Sequence, residues 1–216
     1  MILLAVIAFL FSLLCSGIIV KKMRSHAAAY GSDKPQRFHI GNIPRLGGMA
    51  ILVSIVCTAL LAAGLKWAGF DTNTLELNEW LIFFLLAMLP AVLGGIAEDL
   101  TQRLTVRYRL ALTLLSGVLA VFCLGLSISR LDVIGLDWLL AHWPWLGVVF
   151  TLFAIAGLPH AFNIIDGYNG LAGMVAIIIC GALIHVSLQL GDRQLAAMLV
   201  ITAAATVGFL FWNYPS

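Results

Sequence analysis

The chain has 216 residues, 62% hydrophobic and 10% charged, with a formal net charge of +2. An ordinary soluble domain carries about 25% charged residues, and no water-soluble core of this size hides so much apolar surface, so most of the chain must be solvated by lipid. The small net charge gives no reason to expect a nucleic-acid partner.

A helix crosses the hydrocarbon with about 20 apolar residues, and seven runs meet that requirement. The first is Leu3–Val20. It has no basic stretch ahead of its apolar core, and Lys21, Lys22 and Arg24 follow it instead. It therefore reads as a span rather than a cleaved leader, although Ala27-Ala28-Ala29 mimics a cleavage site. His26–Pro44 has loop character, broken by Gly31, Pro35, Gly41 and Pro44. His39 and Arg45 in and beside this loop are candidate phosphate contacts, and the same basic residues would also suit anionic headgroups.

Leu46–Leu65 and Trp80–Ala97 are the second and third runs. The third ends in Gly94-Gly95-Ile96-Ala97-Glu98-Asp99-Leu100. Adjacent carboxylates at the end of an apolar span are expensive to hold near lipid, which marks them as functional candidates; they also fit a span end resting in water. Arg103, Arg107 and Arg109 follow. Carboxylates for a cation beside guanidinium groups for phosphate suit a phosphoryl-transfer surface.

Tyr108–Ser127 and Trp145–Phe162 come next, the latter running into Pro159-His160-Ala161-Phe162-Asn163-Ile164-Ile165-Asp166-Gly167-Tyr168-Asn169-Gly170-Leu171. On a helical turn Asn163 and Asp166 are i and i+3 and share a face. Gly167 and Gly170 permit close ligand approach or unusual backbone angles. Amide and carboxylate oxygens are hard ligands suited to Mg²⁺, which keeps waters and substrate phosphates. A capped turn between two spans accounts for the same residue types. His160 is left open, whereas His142 and His185 read as incidental. Leu171–Leu190 and Leu195–Trp212 complete the set. The runs are continuous rather than alternating, which predicts an all-α polytopic bundle and not a barrel. Cys15, Cys57, Cys123 and Cys180 each sit alone in an apolar run, without metal-ligand or disulfide spacing.

With seven spans the connections alternate sides. One side collects Lys21, Lys22, Arg24, Lys34, Arg37, Arg45, Arg103, Arg107 and Arg109, and the other only Lys66, Arg130 and Arg193. The basic side is therefore expected to be cytoplasmic, with the amino terminus outside. Glu98, Asp99, Asn163 and Asp166 all fall on that basic side. Residues 1–216 read as one integral-membrane domain.

Together these motifs resemble the polyprenyl-phosphate N-acetylhexosamine-1-phosphate transferase family. The resemblance runs in order through Pro44-Arg45-Leu46-Gly47-Gly48, Glu98-Asp99, Arg107-Tyr108-Arg109-Leu110 and Asn163-Ile164-Ile165-Asp166-Gly167-Tyr168-Asn169-Gly170-Leu171. The Pro-Arg-x-Gly-Gly loop is closer to the O-antigen branch than to the peptidoglycan branch. The family implies attack of a polyprenyl (undecaprenyl) phosphate on a UDP-N-acetyl sugar, with Mg²⁺, at the cytoplasmic face of a bacterial inner membrane. It also implies about ten spans, each of the usual ~20-residue length, with both ends outside. By resemblance, Glu98 and Asp99 would engage the lipid phosphate or the metal, and Asn163 would lie beside Mg²⁺ and the diphosphate. Asp166 would order that site, Asn169 would face the uracil, and Arg107 and Gly167 would belong to the substrate-binding surface. A homodimer is left open.

Two departures stand out. Glu98 occupies the first position of the family's usual Asp-Asp pair, and Asn169 stands where many members carry Asp. The chain also stops at Phe211-Trp212-Asn213-Tyr214-Pro215-Ser216, where relatives continue into a Gly-Asp-x-Gly-like loop. A C-terminally truncated chain, inactive by itself, is therefore expected. The rival readings are a transporter or channel subunit, or an inactive relative. The strongest acids lie at span ends on one side rather than at mid-membrane, which counts against transport.

Overall fold

The computed structural model describes residues 1–22, 46–70, 75, 78–101 and 103–213. Among these the regular structure is entirely helical: α1 (Ile2–Lys22), α2 (Gly47–Trp67), α3 (Glu79–Thr101), α4 (Val106–Leu124), α5 (Leu136–His142), α6 (Pro144–Ile165), α7 (Leu171–Gln189) and α8 (Arg193–Asn213). Seven of them, all but α5, are long and apolar enough to cross a membrane, as the seven runs predict. The chain is a multi-pass membrane protein.

Local chemistry sets several ends. Asn78 Oδ1 accepts from Leu81 N–H at 2.9 Å, and Asp192 Oδ1 accepts from Leu195 N–H at 2.9 Å, so each satisfies a donor at a helix start. Gly125 adopts a left-handed φ of 66° and stops α4, three residues short of the apolar run, because apolar character alone does not mark a C-cap. The seven-residue α5 was too short to register as a run.

The helices group into two compact units. The first, Met1–Glu76 with Ile164–Ser216, contains α1, α2, α7 and α8. Lipid supplies no hydrophobic drive for one helix to leave it for another, so these helices associate through close contact of small residues. Leu4, Ala8, Ser12 and Ser16 line the buried stripe of α1, and Ala50, Ser54, Thr58 and Ala62 that of α2. α8 contributes Ala197, Ile201, Ala205 and Gly208. The Ser54 hydroxyl donates to Ala8 O at 2.5 Å, and Trp212 Nε1 donates to Leu13 O at 2.9 Å. A Cβ on Gly208 would come within 2.5 Å of Phe9 O, so only glycine allows this approach of α8 to α1.

The second unit, Leu77–Asn163, contains α3, α4, α5 and nearly all of α6. α3 and α4 are antiparallel, with Gly94 against Leu112 and Ala91 N–H donating to Ser116 Oγ at 3.0 Å. That bond lies one residue after Pro90, where the helix ladder is interrupted because proline has no N–H to give. α4 and α6 are also antiparallel: Gly117 meets Leu152 and Ile155, and Ile128 N–H donates to Thr151 Oγ1 at 2.9 Å. The same three helices thus share one end, formed by the finish of α3, the start of α4 and the finish of α6.

Candidate active site

At that shared end lies a cavity of about 120 Å³. α3 lines it with Ala91, Gly94, Gly95, Glu98 and Asp99, α4 with Arg109 and Thr113, and α6 with Pro159, His160 and Asn163. The spacing explains the convergence, since residues three, four and seven apart fall on one helix face. Gly94 lets α3 approach Leu112 of α4, and Gly95 keeps the α3 wall low. A Cβ on Gly95 would meet nothing within 4 Å, so that position opens directly into free space.

The polar groups are only loosely satisfied by one another. Arg109 Nη1 stands 3.9 Å from Glu98 Oε1, close enough for charge attraction but too far for a hydrogen bond. Both side chains are mostly buried, at 24% and 16% exposure. Glu98 Oε2 and Arg109 Nε are buried and have no hydrogen-bond partner among the described residues. Buried polar atoms are normally paired, so this pair has donor and acceptor capacity in reserve for a ligand carrying both charge signs. Asp99 lines the same wall.

On the other side of Arg109, Thr113 Oγ1 lies 3.0 Å from Leu110 O, 3.2 Å from Arg109 O and 3.4 Å from His160 Nε2. The hydroxyl has one proton for these three neighbours, and it meets His160 Nε2 as donor or as acceptor according to the ring's tautomer. Beyond the cavity, Thr101 Oγ1 donates to Ala97 O at 2.6 Å and accepts from Arg103 N–H at 3.3 Å, closing the end of α3.

Of the residues expected from sequence, Glu98, Asp99 and Asn163 are brought together here. Arg107 is exposed and lies outside the cavity lining. His39 and Arg45 lie outside the described residues. Asp166, Gly167 and Asn169 belong to the first unit. α6 ends at Ile165, so Asp166 stands in the turn just beyond the helix, with its side chain exposed. Gly167 N–H donates to Ile165 O at 2.8 Å, and Gly170 takes the left-handed φ of 80° that starts α7.

Thr113 was not singled out in the sequence, and His160, left open there, joins the cavity lining. The available signal was spacing: Thr113 follows Arg109 by one turn, and His160 precedes Asn163 by three residues. Polar groups recurring at helical period in apolar spans point to one face.

Among the described residues no three His, Cys, Asp or Glu side chains gather as a ready metal cage. The oxygen donors at the cavity are two carboxylates and one amide, with Glu98 Oε2 unspent. Such a sparse, hard set fits Mg²⁺, which retains water and phosphate ligands, better than a metal needing a full protein cage.

The model of glycosyl transferase family 4 matches residues 80–216, from the start of α3 onward. The chain is 28% identical over 214 residues to a probable undecaprenyl-phosphate N-acetylglucosaminyl 1-phosphate transferase of Bacillus subtilis (strain 168), covering 97% of this chain and 55% of that protein. It is 29% identical over 188 residues to a phospho-N-acetylmuramoyl-pentapeptide-transferase of Synechococcus sp. (strain JA-2-3B'a(2-13)), covering 79% and 48%. An undecaprenyl-phosphate alpha-N-acetylglucosaminyl 1-phosphate transferase of Yersinia pestis is 26% identical over 183 residues, covering 84% and 46%. The chain spans about half the length of these relatives.

Proposed function

Because the chain belongs to glycosyl transferase family 4, we propose that it works in the transfer of a sugar-1-phosphate from a UDP-N-acetyl sugar to a polyprenyl phosphate. Two relatives are named for undecaprenyl phosphate and N-acetylglucosaminyl 1-phosphate, and that donor and acceptor class is carried over here. The observation that supports the reading most is the meeting of Glu98, Asp99, Arg109, His160 and Asn163 at one end of three spans.

In the proposed reaction an oxygen of the lipid phosphate attacks the sugar-bearing β-phosphorus. The bond from that phosphorus to the α,β-bridging oxygen breaks, and UMP leaves with the electron pair. The products are polyprenyl-diphospho-sugar and UMP. A phosphate monoester has a second pKa of about 6, so the nucleophile is largely ionised at neutral pH and the main problem is to bring two anions together. Arg109 would neutralise a phosphate, with Glu98 as its counter-charge. Asp99 and Asn163 would hold Mg²⁺, whose chemistry when bound is to offset the diphosphate charge. His160, hydrogen-bonded to Thr113, would orient a donor group. From the family motif we carry over a nucleotide-binding role for Asp166, Gly167 and Asn169.

The basic bias of the loops supports a cytoplasmic site and an outer amino terminus in a bacterial inner membrane. The proposed reaction is the initiating step of a cell-envelope glycan of the O-antigen kind.

The test uses the complete gene product that carries this chain, polyprenyl phosphate and a panel of UDP-N-acetyl sugars. UMP release is measured with Mg²⁺ and with chelator. Release that requires both the lipid phosphate and Mg²⁺ is expected. Failure with every donor, in a preparation that is folded in the membrane, rejects the reading.

A further inference from the structure

The end of the second unit opposite the cavity carries the connection from α4 to α6, residues 125–143, with α5 inside it. We propose that this segment is a membrane-interface anchor: its outward face inserts among the headgroups and first acyl carbons of the leaflet opposite the cavity, and so sets the depth of α6.

The surface is apolar and aromatic. Leu131, Val133, Ile134, Trp138, Trp143 and Trp145 are all exposed, Ile134 completely so. All but Trp145, which lies in the first turn of α6, fall between the finish of one span and the start of the next, which confines them to the boundary between hydrocarbon and water. Tryptophan favours that boundary because its ring is apolar while its N–H needs a polar partner. A loop meant for bulk water has no use for six such side chains within fifteen residues.

The segment is also fixed in place. Ile128 N–H donates to Thr151 Oγ1 at 2.9 Å, and Leu131 N–H donates to Asp137 Oδ1 at 2.7 Å. Gly147 of α6 packs directly on Ile128 O, where a Cβ would not fit. Asp132 and Gly135 turn the backbone with left-handed φ of 55° and 84°. Trp138 stacks over His142 at 4.1 Å between ring centroids, and His142 Nδ1 bonds Trp138 O at 2.8 Å. The internal pairing leaves the apolar groups facing outward. Arg130 pairs with Asp132 through bonds of 2.6 and 2.7 Å, and with Asp137 the segment holds no excess of positive charge. Attraction to anionic lipid is therefore not what holds it.

The consequence reaches the other face. Asn163 lies 19 residues beyond Pro144 on the same helix, or about 28 Å at 1.5 Å per residue, nearly the ~30 Å thickness of the hydrocarbon. An anchor at Trp138–Trp145 places His160 and Asn163 at the far interface. This inference does not depend on the proposed reaction.

Spin labels test it on the complete gene product in phosphatidylcholine bilayers, with the four cysteines replaced by Ala. A label on Ile134→Cys is expected to collide with oxygen and be shielded from a water-soluble nickel chelate, whereas one on Arg130→Cys shows the reverse. Adding anionic lipid should shift neither. Free access of nickel to Ile134→Cys places the segment in water and overturns the proposal. Shielding from both reagents, or spin–spin broadening between copies, shows a protein cover and overturns it equally. Replacing Trp138, Trp143 and Trp145 together by Ser should shift the depth of a label on Ala161→Cys, and an unchanged depth removes the link to α6.

Discussion

The seam of α1, α2 and α8 and the cavity of α3, α4 and α6 are built from similar apolar helices, yet glycine does opposite work in them. In the seam, Gly208 brings two backbones together, and a side chain there would strike Phe9 O. At the cavity, Gly95 faces nothing within 4 Å and keeps a volume open. The seam spends small residues on contact, as helices in lipid require. The cavity spends Gly95 on access, and Glu98 Oε2 and Arg109 Nε are buried there without a hydrogen-bond partner among the described residues. The contrast sets a region built for cohesion against one proposed to take a ligand, and substitutions should divide along it.

The largest effect is expected at Asp99. Removing a group that organises charge at a phosphoryl-transfer centre costs roughly 10²–10³ in rate, so Asp99→Asn should cut UMP release by that factor. Membrane insertion and thermal unfolding in detergent should stay near wild type, because no seam contact is touched. Near-normal turnover would remove Asp99 from the site.

Gly208→Val reverses the pattern. Its Cβ would lie 2.5 Å from Phe9 O and 3.0 Å from Leu13 N and Ser12 Cβ, all on α1 and two of them backbone atoms. Overpacking of this kind costs about 1–3 kcal/mol, and the unfolding midpoint in detergent should fall accordingly. An unshifted midpoint would mean that α1 and α8 can separate freely, and the account of the seam would fail.

Between these lies the Glu98–Arg109 pair. At 3.9 Å the two groups share no direct hydrogen bond, and the desolvation cost of mostly buried side chains offsets much of their attraction, so the pair should contribute little net stability. Glu98→Gln should therefore leave unfolding almost unchanged while altering activity. Paired with Arg109→Gln in a double-mutant cycle, it should show coupling in kcat/KM and none in stability. Coupling confined to stability would make the pair structural.

The division between cohesion and access also explains what could be read from sequence. Seven apolar runs become seven long helices because lipid tolerates no other open backbone. Glu98, Asp99 and Asn163 were legible because carboxylates and amides at span ends are costly without a purpose. Thr113 was hidden, since a single threonine in an apolar span reads as a residue that bonds its own helix, as Thr202 and Thr206 do here. Its spacing from Arg109 gives its face, but its second role appears only when α6 delivers His160 to the same oxygen. α5 was hidden by length. The transporter reading, which shares the same composition, gives way to the family match over residues 80–216.

The smallest expected effect sharpens the comparison most, because it sets one glycine against the other. Gly95→Ala adds a single methyl where no atom stands within 4 Å, on a helix where alanine is favoured over glycine by about 0.5–1 kcal/mol. Stability should rise slightly or hold. The methyl nevertheless projects into the mouth of a cavity of about 120 Å³, beside the groups proposed to receive phosphate. KM for the nucleotide sugar should increase severalfold while kcat changes less, since the charged groups keep their places. A variant that gains stability and leaves KM untouched would show that the ligand does not pass along the α3 wall, and would move the route of entry to another face of the cavity.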